Sequence, residues 1–130
     1  MLDWLFGNRA EHHAKQLNRD APLIIEHARN MFSERSMADV ADLAREHIER
    51  AHNIFGTKSI DQKRALQDYR KYHKDARNRN DQRALSAITL VIIYLQAELA
   101  GDAASPARKT IEQFIAGSGS SSAPDSPQDS

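Results

Sequence analysis

Ala84-Leu85-Ser86-Ala87-Ile88-Thr89-Leu90-Val91-Ile92-Ile93-Tyr94-Leu95-Gln96-Ala97 is the stretch whose reading decides the fold. It carries no charge in a chain of which 28% is Asp, Glu, Lys or Arg. Ile88, Thr89, Val91, Ile92, Ile93 and Tyr94 are β-branched or aromatic, as in a buried strand, so the run taken alone has two readings. Its flanks separate them. Asp81 offers an N-cap, and Gln82-Arg83-Ala84-Leu85 and Gln96-Ala97-Glu98-Leu99-Ala100 are good helix formers. Gly101 stands where a C′ glycine stops a helix. The run is also longer than a typical strand of about five or six residues. The sequence therefore predicts one helix over residues 81–100, apolar on most of its circumference and central to a core. No membrane span is expected, because the uncharged run falls short of the roughly 20 apolar residues that cross a bilayer.

The flanking segments supply helices to cover it. Met37, Val40, Ala41, Ala44, Ile48, Ala51 and Phe55 recur at a 3.6-residue period, which predicts a helix over residues 37–55. Ser36 is its expected N-cap, with Asp39 three residues on, and Gly56 its stop. Ser59 or Thr57 is the expected cap of the next helix, residues 60–78. Its inner face, Ala65, Leu66, Tyr69, Tyr72, His73 and Ala76, is thin and partly polar, as for a helix at the bundle edge. Upstream, Leu2, Trp4, Leu5 and Phe6 predict a one-turn apolar lid broken by Gly7-Asn8, followed by a polar helix over residues 9–19. Pro22 starts or breaks a helix over residues 22–32. Ser105-Pro106 reads as N-cap and first position of a last helix to Ala116, with Ala107, Ile111, Phe114 and Ile115 inward. From Gly117 the sequence GSGSSSAPDSPQDS offers no large apolar side chain to offset ordering entropy, so a disordered tail is expected over residues 117–130. The fold class expected is all-α: a bundle of four to five main helices in one domain, residues 1–116.

Composition narrows the function classes. A chain of 130 residues can bury a core without staples. It contains no cysteine, which excludes a disulfide framework, a cysteine nucleophile and thiolate metal sites. Its formal net charge is zero, so the whole chain is not a polyanion binder by charge alone. The opening MLDWLFGNRAEHH lacks the basic region and long apolar run of a secretory signal, and a cytoplasmic location is expected.

Motifs for chemistry are sparse. The strongest metal candidate is Glu49-x-x-His52, preceded by Glu46, a spacing used on di-iron bundle helices. Such sites need a second copy of the motif and two further inward glutamates. With Ala44 at the centre of the apolar face, Glu49 falls about 140° away, on the solvent side. His12 and His13 are adjacent and diverge on a helix, and His47 flanks the apolar stripe and is expected to hydrogen-bond at the core edge. There is no G-x-S-x-G elbow, no H-E-x-x-H and no phosphate-binding glycine loop, so no catalytic residue and no cofactor are expected.

The most informative polar stretch is residues 61–79, DQKRALQDYRKYHKDARNR. Lys63, Arg70 and Arg77 recur every seven residues with Lys74 beside them, and Asp61, Asp68 and Asp75 recur every seven on another side. Tyr69 and Tyr72 are interleaved and offer stacking surfaces. Two functions compete, with a metal-dependent enzyme around Glu49 and His52 as a remote third. One is a non-enzymatic adaptor or regulator acting through helix surfaces, self-associating as a two-fold dimer. Its heptad rows pair basic with acidic in antiparallel fashion, and Leu2, Trp4, Leu5 and Phe6 form a second patch. The other is nucleic-acid binding through the basic row.

Overall fold

The computed structural model describes the backbone of residues 2–121 and the side chains of residues 12–117. Among the described residues there are five α-helices and one 3-10 turn: α1 (Leu2–Met31), α2 (Glu34–Phe55), α3 (Ser59–Asn78), α4 (Gln82–Ala100), the turn Gly101–Ala104, and α5 (Ser105–Ser121). The protein is an all-α bundle with α4 at its centre, packed against α1, α2, α3 and α5. Asp81 caps α4 as expected, its carboxylate accepting the Ala84 N–H at 3.1 Å, and Gly101 ends the helix at φ 77°.

Ala87, Leu90, Val91, Leu95 and Ala97 are fully buried on α4. Met37, Val40, Ala41, Ala44, Ile48 and Ala51 form the buried stripe of α2, and Ala107, Ile111 and Phe114 that of α5. Burying apolar surface at about 25 cal/mol per Å² is what holds these helices together. The stretch Gln82–Gly117 is long and apolar enough to pass a composition test for a membrane span. A bundle's core helix passes the same test, and α4's apolar residues belong to the shared core cluster.

Several boundaries differ from expectation. Helix α1 is one helix through both Gly7-Asn8 and Pro22. A glycine costs a helix only about 1 kcal/mol. Proline costs about 3 kcal/mol, but Ala14, Leu17, Ala21, Ile25 and Ala28 continue one buried row across it, while Pro22 itself is exposed. The cap of α2 is Ser33, whose hydroxyl accepts the Ser36 N–H at 3.2 Å; Ser36 is the donor, not the cap. Helix α5 continues past Ala116 to Ser121. Residues 122–130 of the expected tail lie outside the described residues, as do the side chains of Leu2, Trp4, Leu5 and Phe6.

The start of α5 is also capped differently. Ser105 is helical (φ −55°, ψ −40°) and does not act as N-cap. The cap comes from α1: Asn18 Oδ1 accepts the Ala107 N–H at 3.0 Å, and Asn18 Nδ2 donates to the Ala103 carbonyl at 2.9 Å. One amide thus satisfies a donor and an acceptor on the connection between α4 and α5. Asn18→Ala is expected to destabilise the chain by about 1–2 kcal/mol, since Ala107 is fully buried and water replaces the lost partner poorly. A thermal melt reads this as a fall of several degrees; an unchanged midpoint would show that the bridge contributes nothing.

Candidate functional site

Helix α3 is positioned by Gln62, Ala65, Leu66, Tyr69 and Ala76, all buried. Tyr72, expected inside, is 46% exposed, whereas Gln62 is 5% exposed. At about 100° per residue, the buried arc centres near Tyr69, and Tyr72 lies some 60° round from it, off the edge of the core. The same arithmetic places Lys63, Arg70 and Arg77 about 100° to one side of the buried arc, and Asp61, Asp68 and Asp75 about 100° to the other. Arg64 and Lys71, both exposed, lie on the outer face between the rows.

The basic row borders a groove. One part, about 570 Å³, lies between α3, the C-terminal half of α4 and His13 of α1. Lys63, Gln67 and Arg70 stand on its rim, with Leu66, Leu99 and Ala100 among the residues lining it. A second part, about 470 Å³, continues between α3 and the middle of α4. Arg70, His73, Lys74 and Arg77 line it from α3, and Thr89, Ile92 and Ile93 from α4. Arg70 belongs to both. Among the described residues that line the two parts there is no carboxylate.

The α4 side of this groove is the part of that helix's circumference the bundle covers least. Leu85, Thr89, Ile92, Gln96 and Leu99 are only half-buried, and they fall within an arc of about 80°. Leu85, Ile92 and Leu99 recur every seven residues, as do Thr89 and Gln96. Together they alternate steps of four and three, the seam spacing of helix-on-helix packing.

Several other polar groups are internally committed. Glu98 Oε1 on α4 accepts from Gln62 Nε2 of α3 at 3.0 Å and pairs with His52 Nε2 of α2 at 2.9 Å. This explains the buried glutamine and turns His52 away from Glu49, which is exposed on α2. The Glu49/His52 pairing is therefore not assembled, and among the described residues no group of three His, Asp or Glu converges on a metal position. Tyr94 donates to Glu112 at 2.7 Å, and burial together with that carboxylate raises its pKa far above the usual phenol value. His47 does hydrogen-bond at the core edge: its Nδ1 lies 3.1 Å from the Tyr69 hydroxyl, which donates to the His47 carbonyl at 3.1 Å. Tyr69 is 1% exposed, so its ring is not free for stacking, and Tyr72 packs edge-on against it at 5.2 Å.

Of the residues singled out in the sequence, Lys63, Arg70, Lys74 and Arg77 are brought together on one groove. Asp61, Asp68 and Asp75 lie on the far flank of α3. In an antiparallel two-fold pair each flank of a helix meets the same flank of its copy. Antiparallel α3 helices would therefore set basic row against basic row, with Arg64 and Lys71 in between. The basic-to-acidic pairing needs a parallel two-fold instead. Comparison with protein-family models, curated proteins and solved structures returns no match.

Proposed function

We propose that this protein is a small non-catalytic interaction module, a cytoplasmic adaptor or regulator, which engages a protein partner along the groove between α3 and α4. The observation that carries this reading is the half-buried seam Leu85, Thr89, Ile92, Gln96 and Leu99. Here aliphatic side chains at helix-packing spacing have a wall on the α3 side, and among the described residues the lining from outside α3 and α4 is His13 and Ala103. An apolar strip with a polar rim is the form of a docking surface. Nucleic-acid binding is supported less well: the groove floor is aliphatic, Tyr69 is buried, and Tyr72 lies on the acidic flank. Self-association through the same α4 seam is the second reading, favoured by its seven-residue repeat.

The test is retention of partners by the tagged full-length chain in extract of its own cells, quantified by mass spectrometry. Ile92→Glu places a carboxylate on the seam at a half-buried position in the groove lined by Lys74 and Arg77. It is expected to lower retained partners by at least about tenfold, a change worth about 1.4 kcal/mol. Glu49→Lys, on the exposed face of α2, should retain them all. An identical partner set for wild type and Ile92→Glu overturns the groove as the working surface.

A further inference from the structure

The groove also indicates what occupies it. We propose that it receives an amphipathic helix with carboxylates flanking its apolar stripe: an acidic helical segment of another protein. This rests on the groove being the working surface, and it adds the chemistry of the occupant.

Three features select that chemistry. The first is length and period. From Leu85 to Leu99 the seam runs about 21 Å at about 1.5 Å per residue, and its four-three spacing is the one a second helix interdigitates with. The groove is open along this line, its two parts meeting at Arg70. The second is the distribution of charge. Lys63, Arg70, Lys74 and Arg77 are spread over about 21 Å of α3 rather than gathered at one end. An amphiphile with a single anionic head would meet one of them and leave the others unpaired. A helix with Glu or Asp every three or four residues meets the whole row. The third is the composition of the floor. Ile92, Ile93 and Leu99 are aliphatic, which suits Leu and Ile knobs, while the imidazoles of His13 and His73 also line the groove.

A second copy of this chain fits less well. Antiparallel packing of two α4 seams brings the basic wall of one protomer against the basic wall of the other. The chain's own acidic row does not solve this, because Asp61, Asp68 and Asp75 lie on a helix whose apolar stripe is already buried in the core. Among the described residues no helix presents a free apolar stripe between carboxylates. Gln96 interrupts the seam with a polar group and would fix the register of an incoming helix, the role polar residues take at such positions, whereas the Thr89 hydroxyl donates to the Leu85 carbonyl at 2.7 Å.

The experiment uses the full-length chain and synthetic labelled peptides of about three heptads. One set carries Leu, Ile or Phe in the stripe and Glu on both flanks. A twin set carries Lys on the flanks. Fluorescence anisotropy is read at about 50 mM and about 300 mM salt, where screening of exposed charges differs most. At least one acidic peptide is expected to bind at least about tenfold more tightly than its Lys twin, with the margin shrinking at high salt. Ile92→Glu should weaken that peptide by at least about tenfold. The surface double variant Arg70→Glu/Lys74→Glu, which leaves the core untouched, should invert the preference towards the Lys twin.

Equal binding of the two sets, or acidic-peptide affinity unmoved by Ile92→Glu, overturns the acidic helix. So does tighter binding of a single-stranded oligonucleotide or of phosphatidylglycerol vesicles that the charge reversal abolishes. A dimer by light scattering at about 100 μM that Ile92→Glu dissolves assigns the groove to a second copy and overturns it as well. If every peptide fails while Ile92→Glu still sheds cellular partners, the groove stands as the working surface and the occupant proposed here is wrong. If Ile92→Glu keeps all its cellular partners, the groove itself is wrong.

Discussion

Val91→Asp is expected to leave the chain without a cooperative thermal transition, with helical far-ultraviolet dichroism reduced and near-ultraviolet signal lost. Val91 is 0% exposed on a helix that four others cover. A carboxylate there must ionise in an apolar interior or take a proton from solvent, and either costs several kcal/mol. A domain of this size has about 5–15 kcal/mol in total. The control is one residue away. Ile92→Asp makes the same chemical change on the half-buried seam, where the carboxylate can reach water beside Lys74 and Arg77. It should fold with a modestly lower midpoint. The contrast tests the placement of α4 more sharply than either variant alone. Wild-type melting of Val91→Asp, or equal damage from the two, would refute the assignment of these adjacent residues to core and groove.

That contrast also marks where sequence reasoning stopped. Helix α4 was legible because Asp81 and Gly101 bound a run too long for a strand, and α2 because its alanines and aliphatics keep a strict period. Ile92 and Leu99, however, are chemically like Ile88 and Leu95. Within a uniformly apolar run nothing local says which arc a neighbouring helix leaves open; the placement of α3 decides it. The seven-residue repeat of Leu85, Ile92 and Leu99 was present in the sequence but stood against a background equally apolar on every side. The basic and acidic rows of α3 were legible, since charge at fixed period is visible without tertiary context. That the basic row borders the groove was not. Asn18 reaching Ala103 and Ala107 was likewise hidden, because the contact joins segments far apart in the chain and an asparagine within a polar helix carries no signal. Tyr69 and Tyr72 sit one turn apart on one side of α3, and only the position of the core's edge separates a buried ring from an exposed one. For α1 the local rules pointed to breaks at Gly7 and Pro22, and continuous burial along one face outweighed them.

Tyr69→Ala is the second large effect, an expected loss of about 3–5 kcal/mol for a buried aromatic truncated to a methyl group. The ring fills space between α2 and α3, packing edge-on against His47 at 5.4 Å and Tyr72 at 5.2 Å. Its hydroxyl accounts for the smaller part. Tyr69→Phe keeps the ring and removes one donor and one acceptor, for about 0.5–1.5 kcal/mol. The pair of variants also separates two effects at His47. Burial, with the Arg50 charge second, lowers the His47 pKa below its usual 6.5. The unfolded chain therefore takes up a proton near pH 6.5 that the folded chain resists, and this residue's contribution to stability declines as pH falls through and below that value. His47→Gln removes the titration, so wild type should lose stability on acidification relative to His47→Gln. The difference between the two profiles is the observable, since carboxylates act on both alike. Tyr69→Phe retains the desolvating ring and should keep that difference. Tyr69→Ala admits water beside the imidazole and should shrink it. An acid limb unchanged between wild type and His47→Gln would show that this histidine is hydrated in the folded state. A Tyr69→Ala protein within about 1 kcal/mol of wild type would show that α3 is not anchored to α2 through this ring, and the basic row would then lack the rigid support that holds it beside α4.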